Sequence, residues 1–289
     1  MRLRNTKIIL GCVFAVVIIM MAGCGKGKTS DNVLKTMAEK MKEVNSISGN
    51  MVLEIRTALE SEVVSFNMNM VYDVIAEDND SFMTGNISTE INSEKEDVPS
   101  WSHEGYETFY HVKEDDEYVL YGGEAGQMET WWKLVVDEQG FISIPAMIDV
   151  ENWDKEAAFS EKTTKINKRR CFLLSGEISG EKCIEIMGGI FAMYDMMGIL
   201  SLSDKTVQEN VKVPFELEIY EDTNLPARLS FDIEEFLSGI MAEGTSEEGE
   251  KRMKMMVTIT QYDKAEAITV PELIRERASF LRFAPIEEE

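Results

Sequence analysis

The feature that most constrains the fold of this 289-residue chain is a change of period at Ile47. Beyond it, Ile47, Met51, Leu53, Ile55 and Leu59 fall on one side of an extended chain, while Ser48, Asn50, Glu54 and Arg56 fall on the other. Side chains of a strand alternate between two faces, so this pattern predicts an antiparallel strand with one face dry and one wet. The pattern then recurs. Val64, Phe66, Met68, Met70, Tyr72 and Val74 alternate with Ser65, Asn67, Asn69 and Asp73, and a weaker strand is predicted over residues 81–91, before a polar loop at 92–100.

Residues 106–112, 117–121 and 130–136 continue as a meander in which Gly122-Gly123 is expected to turn the chain. Tyr106, Phe109, Tyr110, Tyr118, Tyr121, Trp131 and Trp132 make it rich in aromatics, which favour strands and fill cores and would otherwise form a stacking surface. Residues 148–159 suggest a short helix. Lys165, Lys168, Arg169 and Arg170 suggest a basic turn that is either a counter-charge to an acidic chain or a phosphate-headgroup contact. A strand is expected at 171–178. Val213, Phe215, Leu217 and Ile219, the turn at Asp222 to Pro226, and Leu229, Phe231 and Ile233 spell a hairpin. After a charged excursion at 235–252, Met253, Met255, Val257 and Ile259 form a last strand, and Pro271 ends it and opens a helical turn.

Two segments read as helices. Val33, Leu34, Met37, Met41 and Val44 recur at helical spacing behind a cap at Ser30 or Asp31. Residues 181–202 are apolar nearly all round: Ile184, Met187, Phe191 and Tyr194 lie on one side, and Ile186, Ile190, Met193, Met197 and Leu200 cover most of the rest. Such a helix must be buried on several sides or face something greasy, and its thioethers adapt to ligands of variable shape.

The N-terminus has a different logic. Arg2, Arg4 and Lys7 precede an apolar run over residues 8–21 that is too short to span a bilayer, and Met21-Ala22-Gly23-Cys24 closes it with small residues before a cysteine. This layout reads as a secretory signal at 1–23. Its end resembles the bacterial lipobox, with Met21 where leucine is more usual, so Cys24 is the expected diacylglyceryl anchor. Residues 24–30 would be a flexible tether carrying Lys26 and Lys28. The implied location is the extracytoplasmic face of the cell membrane. The formal charge is −24, and loss of Arg2, Arg4 and Lys7 with the signal lowers it to −27. No basic stripe is left to release phosphate counterions, which argues against nucleic acid. Cys171 and Cys183 are then the only remaining thiols, and the sequence leaves a bridge and two free thiols equally open.

Little chemistry is visible. His103 and His111 are the only imidazoles, eight residues apart, and would share a sheet face if Gly105 and Pro99 left the strand unbroken. No serine-nucleophile elbow, zinc-binding helix, phosphate loop or dinucleotide fingerprint is present. The acidic runs at 77–80 and 114–117 lack the spacing of a calcium loop. No enzyme activity, cofactor or metal is therefore expected.

Taken together, the lipobox, the first helix, VNSISGNMVLEI (44–55), WWKLVV (131–136), FELEIYEDTNLPARLSFDI (215–233) and MVTITQYDKAEAITVP (256–271) resemble the lipoproteins related to the LolA and LppX lipid carriers, in particular their Gram-positive branch. The resemblance implies an α+β fold over residues 31–280, with an acidic tail at 281–289. In that fold a strongly curved, incompletely closed antiparallel sheet carries helices on its concave face. It also implies a lipid or other hydrophobic ligand held between helix and sheet, with Ile184, Met187, Ile190, Phe191, Tyr194 and Met197 as cavity wall. A surface-tethered interaction or sensor domain with a filled core is the alternative.

Overall fold

The computed structural model describes residues 29–59, 62–93, 100–136, 140–149, 153, 158–196, 211–234 and 252–281. Cys24, with the signal and the tether up to residue 28, lies outside the described residues. So do Met197, the excursion at 235–251 and the tail beyond 281.

The alternating segments become strands β1 (Ser46–Leu59), β2 (Glu62–Ile75), β3 (Ser81–Ser93), β4 (Trp101–Glu114), β5 (Glu117–Glu124), β6 (Trp132–Val136), β7 (Ala158–Ile166), β8 (Arg169–Ser179), β9 (Lys212–Tyr220), β10 (Pro226–Asp232), β11 (Arg252–Tyr262) and β12 (Ser279–Phe280). All join one sheet in the order β12-β6-β5-β4-β3-β2-β1-β11-β10-β9-β8-β7. Two meanders are thus zipped together where β1 pairs antiparallel with β11, Met51 opposite Val257 and Leu53 opposite Met255. Every pairing is antiparallel except β12 with β6. The sheet is open, with β7 and β12 as its edges.

Among the described residues four α-helices accompany it: α1 (Ser30–Met41), α2 (Ile144–Ile148), α3 (Gly180–Met196) and α4 (Glu272–Arg277). Thr29, rather than Ser30 or Asp31, caps α1, its hydroxyl accepting from the Asn32 N–H at 3.4 Å, and Asp31 pairs with Lys35 one turn on at 2.8 Å. Val33, Leu34, Met37 and Met41 of α1, Ile144 and Met147 of α2, and Ile186, Met187 and Ile190 of α3 all enter one core with side chains from β1 to β5 and β8 to β11. Twelve strands laid flat would span roughly 50 Å, far more than three short helices can cover. The single shared core therefore requires the sheet to curl around the helix layer, as accumulated strand twist promotes.

The opposite, outer face is mostly wet. It carries two small apolar clusters. In one, residues 264–271 run from β11 to α4, and Val270, Ile274 and Ala278 cover Val112, Val119, Tyr121 and Trp131. Arg275 reaches Glu114 at 3.0 Å, and Glu114 also accepts the Tyr121 hydroxyl at 3.0 Å. Burial and that carboxylate push the Tyr121 phenol up to about 12. In the other, Cys171 packs with Tyr220 and Ala227.

Some expectations need correction. Gly122 and Gly123 make no turn; they lie inside β5, where a Cβ would stand 2.2 Å from the Trp132 ring and 2.8 Å from that of Trp131. Glycine is needed there because the two indoles take the space, and the chain turns at Ala125-Gly126 instead. The helix expected over 148–159 ends at Ile148, having been started by the Ser143 cap and Pro145, and Ala158 already opens β7. Gly105 does not interrupt β4. Cys171 and Cys183 are both free and buried, one on the outer face and one in the helix layer, so no bridge joins them.

Candidate functional site

The interface between helix layer and sheet is built largely from thioethers. Of the nineteen methionines, ten among the described residues are buried to 2% exposure or less. Met37 and Met41 come from α1, Met147 from α2, Met187 from α3, and Met51, Met68, Met70, Met83, Met253 and Met255 from the inner face of the sheet. Unbranched side chains with three rotatable bonds repack at little strain, and their density here is far above the ordinary use of methionine as a gap-filler.

Helix α3 crosses this interface and is not straight. Met187 leaves helical geometry (φ −118°, ψ 16°), immediately before Gly188 and Gly189. Glycine pairs are a recognised cause of such kinks. At the bend the Ile186 carbonyl accepts from the Ser143 N–H at 3.0 Å, and Gly189 lies so close to the backbone of Gly140 that a Cβ would stand 2.4 Å from its carbonyl oxygen. Gly140 itself abuts the carbonyl oxygen of Asn79, beyond the end of β2. Thus α3 starts at the β8–β9 end of the sheet and is pinned near the opposite end, beside the β2–β3 turn.

The residues expected to wall a cavity divide accordingly. Met187 and Ile190 are fully buried in the core and Ile184 is half-buried against it. Phe191 and Tyr194 belong to α3, without a described side-chain environment, and Met197 lies outside the described residues. Among the described residues, two concavities open on the outer face. An open groove of about 640 Å³ has Ser175, Glu216, Ser230, Arg252 and Lys254 among its lining residues. A crevice of about 470 Å³ lies beneath residues 264–269, floored by Asp73, Phe82 and Tyr110.

The inner face also has an open rim, where β3 ends and β4 begins. Trp101 is 52% exposed and stacks on His103 at 6.1 Å. His103 approaches Glu107 to 4.0 Å, and Glu107 is directly opposite Glu124 on β5. Burial and the facing Glu124 raise the Glu107 carboxyl above its ordinary range. His111, 3% exposed, stacks on Tyr118 at 5.2 Å. The two histidines do share a face, but eight residues of strand separate them by roughly 27 Å, so they cannot serve one metal ion. Among the described residues no group of three or more His, Cys, Asp or Glu side chains could hold a metal.

The aromatic meander is mainly core: Phe109, Tyr121 and Trp131 are buried, whereas Tyr106 is exposed. The basic turn serves as counter-charge, since Arg169 forks onto Asp222 (3.1 Å from Nε) and Arg170 approaches Glu221 at 3.5 Å. Trp101 is the rim residue that sequence reasoning missed. Its one signal was position, the first aromatic after the polar stretch at 92–100.

No helix among the described residues is long and apolar enough to cross a membrane. No protein-family model matches the chain. No curated protein matches it in sequence. Among solved structures it is similar to LprF from Mycobacterium bovis, with a TM-score of 0.44 and 12% identity over 83% of this chain and 95% of that one. It is also similar to the Mycobacterium tuberculosis lipoprotein LppX, with a TM-score of 0.39 and 10% identity over 83% of this chain and 100% of that one. A DUF1329 family protein from Desulfovibrio piger follows at a TM-score of 0.22 and 10% identity.

Proposed function

We propose that this chain is a lipoprotein, tethered through Cys24 to the extracytoplasmic face of the cell membrane, that holds a lipid or other hydrophobic ligand between α3 and the inner face of its sheet without chemically altering it. The observation that carries this reading is the core of ten buried methionines that the sheet shares with the helix layer, in which α3 is kinked at Met187. A core selected only for stability favours branched side chains with fixed rotamers; a thioether lining admits guests of different shape. The kink supplies a place where α3 can yield. Ile184, Met187, Ile190, Phe191, Tyr194 and Met197 are the proposed wall, and the rim at Trp101 is the side from which an acyl chain would pass.

One observation favours a second reading, a tethered interaction domain with a filled core: Ile186, Met187 and Ile190 are fully buried with protein alone around them. The two are separated by native mass spectrometry of the full chain purified in mild detergent, together with titration of a fluorescent fatty acid. Lipid binding predicts a copurifying apolar mass and saturable probe fluorescence, both lost in Ile190→Trp while circular dichroism stays native. A full chain with no bound mass and no saturable probe binding belongs to the second reading.

A further inference from the structure

The large apolar side chains that the fold leaves exposed are not scattered. Among the described residues there are seven: Val71, Trp101, Tyr106, Val135, Leu273, Phe280 and Leu281. Three of the seven, Val135, Leu273 and Phe280, belong to β6, α4 and β12 at the C-terminal edge of the sheet, and a fourth, Leu281, directly follows β12. Phe280, at 63%, is the most exposed of all. It pairs with Lys133 across the parallel β12–β6 contact, and the Leu281 N–H donates to the Lys133 carbonyl at 3.0 Å. Val135 is two residues further along β6 on the side of Lys133, diagonal to Phe280 and within reach of its ring. Phe280 and Leu281, as neighbours in an extended chain, point to opposite faces, so the edge ends in an apolar tip with two sides.

A cation lies at that tip. The Lys133 ammonium lies 4.9 Å from the Phe280 ring centroid and donates to the Arg275 carbonyl at 3.0 Å. On α4, Leu273 and Arg277 are four residues apart and share one exposed face, whereas Glu272 and Glu276 share another. The chain as a whole carries 53 acids against 29 bases, so most of its surface is repelled by anionic headgroups. An edge that combines exposed apolar residues with Lys133 and Arg277 is the exception. Exposed apolar side chains accompanied by cations are the kind of surface that binds the interface of an anionic bilayer.

We propose that the β6–α4–β12 edge docks on anionic phospholipid, with Phe280 and Leu281 entering the headgroup region and Lys133 and Arg277 meeting the phosphates. The repulsion of the acidic surface then acts with the edge, because it turns the acidic faces away from the membrane. The proposal stands whether or not the interior holds a ligand.

Hydrogen exchange read by mass spectrometry tests it. The full chain is reconstituted on vesicles of phosphatidylcholine alone and of phosphatidylcholine with phosphatidylglycerol, so that any anchoring is the same on both. Peptides covering residues 272–281 are expected to exchange several-fold more slowly on the anionic vesicles, and the difference is expected to vanish in high salt. Phe280→Asp with Leu281→Asp should abolish it, and Arg277→Glu, an exposed change that spares the fold, should reduce it. Equal exchange on both vesicles, protection confined to another face, or protection that rises with protein concentration without vesicles would overturn the proposal; the last would assign the edge to a second copy of the chain.

Discussion

Replacing Gly189 by alanine sets two effects of opposite sign against each other. In a free helix the change gains about 1 kcal/mol, since glycine is that much poorer a helix former. In this molecule the new Cβ would sit 2.4 Å from the Gly140 carbonyl oxygen and 2.9 Å from the Phe141 Cα. Ordinary contact requires a retreat of about 1 Å, and the obstacle is backbone on both sides. Forcing a methyl into a packed interior costs roughly 1–3 kcal/mol. Separation of the same two segments also weakens the Ser143 N–H to Ile186 carbonyl bond of 3.0 Å, a further loss of about 1 kcal/mol. The net expectation is a destabilisation of about 1–3 kcal/mol, which for a domain of this size lowers the thermal midpoint by roughly 2–4 °C per kcal/mol. Thermal unfolding followed by circular dichroism reads it. A Gly189→Ala protein that melts higher than wild type would refute the reasoning, because helix propensity alone would then govern the position and α3 could not be seated on the 140–143 segment. If the wall of α3 also holds a ligand, the same variant should bind a fatty-acid probe more weakly than its stability loss alone explains.

The remaining predictions concern charge and thiols. Glu218 is almost fully buried and its partner is the half-exposed Arg228; Arg228→Ala should strand that carboxylate and destabilise the fold by about 2 kcal/mol in chemical denaturation, less than for a fully enclosed pair. Glu107 has its pKa raised in the folded state by burial and Glu124, so the folded form holds its proton more tightly than the unfolded form. Its ionisation therefore removes stability as pH rises from the ordinary glutamate range through the raised value. Glu107→Gln should accordingly melt higher than wild type at neutral pH, and that advantage should disappear in acid, as differential scanning calorimetry across pH would show. Cys171 and Cys183 are buried on opposite faces, and burial raises both thiols above their ordinary range. A thiol reagent should modify them only in denaturant, and a disulfide oxidant applied to the native protein should leave both thiols titratable after unfolding.

Most of the fold could be read from the chain because its strands have one wet face. Ile47 to Ile55 and Val213 to Ile219 declare their pattern without help from neighbours, and the Asp222 to Pro226 turn is local chemistry. Where the deciding contact is distant, the reading failed. Gly122-Gly123 looks like a turn until Trp131 and Trp132 are brought over it from the next strand. The start of α2 was available in Ser143 and Pro145, a cap followed by a proline at a helix N-terminus, but the apolar spacing further on drew attention away. For the candidate site the sequence identified an unusually greasy helix. It could not show that six strand methionines share one core with that helix, since this depends on the pairing of β1 with β2 and β11. The kink had a local sign in Gly188-Gly189, and the edge formed by Val135 and Phe280 had none, because nothing in the sequence announces that residues 279 and 280 pair with β6.

The junction of the two meanders bears on biogenesis. Until residue 262 has been synthesised, β1 has β2 on one side and, along Ile47 to Arg56, the unsatisfied backbone groups of alternate residues on the other. Such a row is a template for any passing extended segment. The nascent first half is therefore vulnerable for as long as the second half is still being made, and Glu54 and Arg56, which alternate along the wet side of β1, stand where gatekeeping charges would be placed against mispairing.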